Sequence, residues 1–241
     1  MQSIRHSNRS RAWAWCLLFI TVASLSVAAP PPKDLSFLEN PWIKLGVRTN
    51  AGACIAYFSF RSLDQNVIND YDLGRFIQQS YYGRPDGSTW AGKPWKWNPV
   101  QGGSHDGKPS TLVTFSNNGK TIYAKTIPRH WATGADTPNV AMEEWIMLQD
   151  KLVRIHYKMT YTGTVDHPPE QQELPAVFLN PSCNTLAYYK GSTPWEGLPL
   201  ARRHPLPTNE HDAITENWAA YLNQLNWGMG VYVPGVTNMT F

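Results

Sequence analysis

From Leu152 to Tyr161 the chain alternates without a break. Val153, Ile155, Tyr157, Met159 and Tyr161 fall on one side, and Arg154, His156, Lys158 and Thr160 on the other. A period of two is that of a β-strand with one face buried and one face in water. The run before it, Val140 to Leu148, is also strand-like, and Asp150-Lys151 suits a tight turn between the two. Such a turn fixes the register. Met147 then faces Arg154, Trp145 faces His156 and Glu143 faces Lys158, all on the polar side. Glu144 points the other way, between Met142 and Ile146 and opposite Tyr157. A carboxyl on an apolar face must be paired or carry a raised pKa. A raised pKa is one mark of an acid/base catalyst, so Glu144 is a catalytic candidate. The competing reading is a carboxylate bonded to a buried Arg or Tyr.

The rest of the chain repeats the β signal. Trp42 to Val47 and Cys54 to Phe60 flank a turn through Asn50-Ala51-Gly52. Thr111 to Phe115 and Thr121 to Thr126 flank Asn118-Gly119, a strong short hairpin signal. Tyr188 to Asp212 reads as loop, because its prolines and glycines exclude long helices and inner strands. A hairpin turning near Asn223 to Asn226 follows. These features make the chain an all-β, antiparallel protein.

Residues 1–28 read as an export signal. Arg5, Arg9 and Arg11 precede a short apolar run from Ala12 to Ala23, and small residues at Ser26 and Ala28 suit cleavage. That run is too short to span a bilayer, and no later segment is apolar enough to do so. The expected compartment is extracellular, or periplasmic in a bacterium. Three of the 21 Lys and Arg leave with the signal and none of the 18 Asp and Glu, so the mature chain is near neutral. It has no broad positive field to recruit nucleic acid or an anionic membrane. Cys54 and Cys183 remain, free or bridged, with no metal-ligand spacing. Residues 29–241 read as one β-sandwich domain, and the abrupt end at Phe241 after a strand-like run reads as that of a fragment.

Function is most legible between Asp70 and Asp106. Tyr81, Tyr82, Trp90, Trp95 and Trp97 cluster in and before a Gly/Pro-rich loop, with Arg75 and Gln79 ahead of them. Loops normally carry polar residues, so this many indoles call for an explanation. Flat aromatic faces beside amides and guanidinium suit a sugar, which offers a C–H face and hydroxyls. A hydrophobic lid over the domain's own core is the alternative. Trp90, Trp95, Trp97, Tyr81 and Tyr82 are the expected ring-stacking residues, with Arg75 and Gln79 orienting hydroxyls or a uronate. His105, beside Gly102-Gly103 and Asp106, and Glu173, after Gln171-Gln172, join Glu144 as acid/base candidates. His130 is a further histidine candidate, with loop capping as its alternative. Arg154, His156 and Lys158 form a basic row that would suit an acidic polysaccharide if it lined a cleft. Asp64, Asn66, Asn69, Asp70 and Asp72 offer oxygens of the kind Ca²⁺ takes, but without EF-hand spacing, and turn roles account for them as well.

Three stretches add a family resemblance: Gly52 to Ser59, Asn66 to Arg75 and Gln78 to Tyr82. Together with Asn98-Pro99-Val100-Gln101-Gly102-Gly103 and Glu216 to Ala220, they resemble secreted carbohydrate-active proteins of the galactose-mutarotase-like β-supersandwich. The resemblance implies that fold, a cleft on the concave face of the larger sheet, and epimerase, lyase or glycosidase chemistry. It carries no catalytic residue over to this chain, and fold alone does not fix function. The expected function is polysaccharide processing with lyase- or glycosidase-type acid/base chemistry and no resident cofactor. A non-catalytic carbohydrate-binding domain is the alternative, and a structural envelope domain a third.

Overall fold

The computed structural model describes residues 34–205 and 209–241, so the expected export signal lies outside the described residues. These residues fall within one unit, Pro32–Phe241. Strands β1 (Leu35–Glu39), β2 (Ile43–Arg48) and β3 (Cys54–Phe60) form an antiparallel meander, and β4 (Ile77–Ser80) pairs with β3. A hairpin of β5 (Pro85–Trp90) and β6 (Lys93–Lys96) precedes β7 (Pro99–Val100), β8 (Thr111–Asn117), β9 (Thr121–Ile127) and β10 (Arg129–His130). Next come β11 (Val140–Gln149), β12 (Leu152–Tyr161) and β13 (Glu173–Val177). The C-terminal part holds β14 (Thr185–Tyr188), β15 (Ala201–Arg203), β16 (His211–Ala213), β17 (Trp218–Leu222), β18 (Gly228–Tyr232) and β19 (Asn238–Thr240).

The first sheet runs β1-β2-β3-β4-β7-β10, with β13 also paired to β4. The second runs β12-β11-β9-β8, the third β15-β14-β17-β18, and β5-β6 and β16-β19 are two-stranded ribbons. All pairings are antiparallel, as the sequence predicts. No helix among the described residues is long and apolar enough to cross a membrane. Ile43, Leu45, Val47 and Ile55 of the first sheet pack against Ile122, Ala124 and Ile146 of the second. The two sheets therefore form a sandwich, in which alternation along each strand sends one set of side chains into a shared core. The first sheet is also covered on its other side, where Ala51, Cys54, Ala56, Leu73 and Phe76 form a second cluster. This explains why Cys54, Ile55 and Ala56 are consecutively buried.

The β11–β12 pairing has the register read from the sequence. Glu143 faces Lys158, Glu144 faces Tyr157, Trp145 faces His156 and Met147 faces Arg154. Asp150, at φ 51°, makes the two-residue turn. The β8–β9 hairpin and the β17–β18 hairpin also form where expected. Two expectations need correction. The tryptophan-bearing stretch is not all loop, because β5 and β6 pair within it despite Pro85, Gly87 and Pro94. The segment Tyr188 to Asp212 contains the short strands β15 and β16, each paired at a sheet edge. Short edge strands tolerate the surrounding prolines, which an inner strand would not. Cys54 and Cys183 are both free and buried.

Glu144 is fully buried, and neither carboxyl oxygen has a hydrogen-bond partner among the described residues. The Tyr157 hydroxyl opposite it is equally covered and equally unpaired. Burial pushes the Glu144 pKa up from about 4.5 to about 8, and the nearby Gln101 offsets this only in part. Burial also raises Tyr157 and Cys54, and the Glu144 charge would raise both further. The carboxyl is thus held as the neutral acid.

The sign of the resulting pH dependence follows. Above pH 4.5 the unfolded chain releases this proton, whereas the folded chain keeps it until about pH 8. Stability from this group is therefore full below pH 4.5, falls as pH rises towards 8, and levels off beyond. The slope in that window is about 1.4 kcal/mol per pH unit. Glu144→Gln should remove the slope, so its melting temperature should gain on the parent's steadily between pH 5 and 8. Parallel melting curves across that range would refute the neutral buried acid.

Candidate functional site

The β5–β6 hairpin turns through Ala91 and Gly92, both left-handed at φ 50° and 74°. Such a turn matches the twist of paired strands. It sets Trp90 at the end of one arm and Trp95 in the other, with ring centroids 5.0 Å apart and edge to face. Trp90 also meets Trp131 at 5.8 Å, and Trp95 meets Tyr82 at 6.3 Å. The hairpin is fastened to the body by Asp86 and His130, whose Oδ2 and Nε2 lie 2.7 Å apart. His130 is buried, and its Nδ1 accepts the Ala132 amide at 3.2 Å, so Nε2 carries the proton and donates to Asp86. Burial would raise the Asp86 pKa, but the Ser88 hydroxyl and amide and His130 together hold it below its ordinary value. This pair is an anchor, in keeping with the loop-capping alternative for His130.

Tyr82 stands where two clefts meet. Its backbone is clamped by the Gln172 side chain, which accepts from the Tyr82 amide at 2.6 Å and donates to its carbonyl at 3.0 Å. Its phenol donates to Glu173 Oε1 at 2.9 Å, and burial, followed by the Glu173 charge, raises the phenol's pKa. The Lys96 ammonium lies over the Tyr82 ring, 5.4 Å from its centroid, and pairs with Glu170 at 2.6 Å. On one side opens a groove of about 1140 Å³, walled by Tyr82, Trp95 and Lys96, by the segment carrying Glu170 to Leu179, and by Tyr221, Met229 and Phe241. On the other lies a smaller cleft of about 260 Å³, lined by Tyr81, Tyr82, Trp97, Tyr161, His167 and Gln172 among others.

In the smaller cleft the His167 ring stacks on Trp97 at 4.1 Å, and Tyr161 meets both rings edge-on. His167 Nδ1 accepts the Arg84 amide at 3.3 Å, and Nε2 has no partner among the described residues. Burial, and then the Arg84 charge, lower its pKa and favour the neutral ring. The stack needs Gly83 beneath it, where a Cβ would sit 2.2 Å from His167 Nδ1 and 2.8 Å from the Trp97 ring.

The residues expected from the sequence divide between places. Tyr82, Trp95 and Glu173 come together along the groove, Trp90 packs against Trp95 without lining it, and Trp97 and Tyr81 line the smaller cleft. Burial pushes the Tyr81 phenol up to about 12. Gln79 is not in either cleft: it is fully buried, donating to the Glu143 carbonyl and accepting from Tyr81. Arg75 lies against the Phe178 ring at 4.8 Å and pairs with Asp72. The His105–Asp106 pair does not form. His105 Nε2 lies 3.1 Å from the Ala132 carbonyl, while Asp106 is held by Lys108 and Ser104, which lower its pKa to about 2. Glu144 is sealed in the core, away from any ligand.

The oxygen-rich run serves turns. Asn66, Asn69 and Asp72 side chains accept backbone amides two residues on, and Asp64 accepts the Tyr57 phenol. Among the described residues, no three His, Cys, Asp or Glu side chains group as a metal site would require. Residues that sequence reasoning did not single out for the clefts are Lys96, Glu170, Gln172 and His167. His167 sits in a Pro-rich turn whose only signal was its aromatic neighbours in space.

No family model matches the chain, and no curated protein matches it. A solved structure of the 4-alpha-glucanotransferase from Thermococcus litoralis is similar over 53% of this chain, with 14% sequence identity and a TM-score of 0.36. The chain spans 22% of that protein's length.

The Asp86–His130 anchor predicts a local effect. Asp86→Ala strands a buried imidazole N–H, which costs about 1 to 3 kcal/mol. The urea midpoint should fall, and tryptophan emission should shift to the red as Trp90 and Trp95 gain water. A variant with unchanged emission would show that the hairpin is held by its aromatic contacts alone.

Proposed function

We propose that the protein processes a polysaccharide in the groove beside Tyr82, with sugar rings against Trp95 and Tyr82 and with acid/base chemistry of the lyase or glycosidase type. The supporting observation is the 2.9 Å bond from the Tyr82 phenol to Glu173, at the edge of a groove that also carries Trp95 and Lys96. A carboxylate and a phenol that share a proton can act as a base and an acid on one bound sugar. In an elimination, Glu173 takes the proton from the ring carbon while Tyr82 gives its own to the leaving oxygen. Their mutual hydrogen bond then passes the proton back from Glu173 to Tyr82. Lys96 supplies positive charge for an acidic substituent, and the neighbouring His167 cleft offers a neutral imidazole for a further ring. The galactose-mutarotase-like architecture and export from the cell belong to the same proposal.

A second reading, a carbohydrate-binding domain without catalysis, draws on a different observation. The two carboxylates beside Tyr82 already have partners: Glu173 the phenol, and Glu170 the Lys96 ammonium.

Variants separate the two. A stacked aromatic at the centre of a site contributes on the order of 1 to 2 kcal/mol. Trp95→Ala should therefore weaken polysaccharide retention roughly tenfold. Glu173→Gln and Tyr82→Phe should retain binding but lose product, read as new reducing ends or unsaturated termini, because only proton transfer is removed. A parent protein that binds but never yields product favours the binding domain. Retention unchanged by Trp95→Ala for every polysaccharide bound would remove the groove from consideration.

A further inference from the structure

The outer face of the second sheet, opposite the core, carries a row of rings that the sandwich does not need. Tyr123 on β9, Trp145 on β11 and His156 on β12 are direct cross-strand partners. Their centroids are 5.1 Å and 5.2 Å apart along the row, with the rings tilted by 37° and 49° to one another. Ser116 on β8 continues the row without blocking it. Beside it runs a second row, Lys125, Glu143 and Lys158. Glu143 accepts the Tyr123 phenol at 2.8 Å and the Lys158 ammonium at 3.3 Å, so the carboxylate of this pair of rows is already neutralised. On the far side of the rings Arg154 is exposed, with one guanidinium N–H given to Gln149.

We propose that this face is a second, platform-type binding surface, distinct from the groove, for an anionic polysaccharide. The ring row would take sugar faces, and Lys125, Lys158 and Arg154 would take carboxylates or sulfates along the chain. An outward sheet face is ordinarily polar, and half-buried Trp145 beside half-buried Tyr123 leaves ring surface there of the kind a stacking site requires. The mutual tilt of the rings suits puckered, successively rotated sugars better than a stack of flat bases. Three cations confined to one strip, on a chain with no broad positive field, also fit a sparsely charged glycan better than a nucleic-acid backbone. The proposal takes only its ligand class from the groove reading, and the surface is separate.

The test is retention of the full chain in affinity electrophoresis through polygalacturonate, dextran sulfate and unmodified dextran, with the parent, Trp145→Ala, the double variant Lys125→Ser/Lys158→Ser, and Trp95→Ala. The expected result is retention by one or both anionic polymers that falls about tenfold in Trp145→Ala and in the lysine variant. Dextran should show no such dependence, and added salt should weaken the retention. The two anionic polymers distinguish carboxylate from sulfate. The lysine variant changes side chains outside the core, so it decides the matter if Trp145→Ala fails to fold. Parent-level retention in the lysine variant overturns the platform, as does tighter binding to oligothymidylate than to either polyanion. Loss of retention in Trp95→Ala alone places all binding in the groove and likewise overturns it. Loss in the platform variants with Trp95→Ala unaffected supports the platform and counts against the groove.

Discussion

Three buried glutamine amides hold this sandwich in register. Gln101 donates to the Gly52 carbonyl at 2.9 Å and accepts the Gln79 amide at 3.1 Å. Gln78 accepts the Gly102 amide at 2.7 Å and donates to the Leu73 and Arg75 carbonyls. Gln79 reaches across to the Glu143 carbonyl of β11. All three are at most 1% exposed, so a broken bond would leave a polar group stranded without water. The network ties the β2–β3 turn, β4, the loop after β7 and the second sheet to one another. It depends in turn on Gly52, left-handed at φ 60°, where a Cβ would lie 2.0 Å from the Gln101 carbonyl oxygen. Only glycine admits that approach without strain.

That network also positions both clefts. Gln79 accepts from Tyr81, and Asn98 donates to the Tyr81 carbonyl and to Ser80, which fixes the strand end from which Tyr82 projects. Asn98 also accepts the Trp95 indole N–H at 3.3 Å. The aromatic residues of the groove are therefore carried by a rigid polar frame, although the hairpin that bears them is rich in Pro and Gly. A preorganised frame spares a binding site the entropy of ordering its side chains on contact.

How much of this was legible in the sequence depended on range. Hairpins were, because a period of two and a tight turn are local: β11–β12 formed in the expected register, residue for residue. The β5–β6 hairpin was not, since Pro85, Gly87 and Pro94 argue against a strand and the Ala91-Gly92 turn lacks the Asn or Asp that usually announces one. The inward direction of Glu144 was legible, but not that it would find no partner and sit beyond reach of a ligand. Gln78 and Gln79 carried a resemblance yet no hint that their amides turn inward. The Tyr82–Glu173 bond joins residues 91 apart, and the Asp86–His130 bond residues 44 apart. Pairings at that distance are made by topology, and no local pattern encodes them. The adjacency of His105 and Asp106 in sequence was misleading for the same reason: nearer partners claimed each of them.

The two surfaces differ in how their charges are arranged, and the difference bears on what each can do. Around Tyr82 the charges are matched one to one, Lys96 with Glu170 and the phenol with Glu173, inside a groove where each is partly desolvated. Under the proposed function, a ligand entering there would exchange hydrogen bonds with groups that already have them, which would make its binding selective and couple it to proton position. On the outer sheet face the cations outnumber the one carboxylate, with Arg154 and Lys158 exposed and Lys125 half-buried. Exposed charges contribute little individually and are screened by salt, so attraction there is broad and shallow. If both proposals hold, the groove with its matched charges would recognise one sugar at a time, and the open cationic strip with its rings would hold the chain to which that sugar belongs. The sandwich separates the two by its alternation: each second-sheet strand sends one residue to the core and the next to the strip.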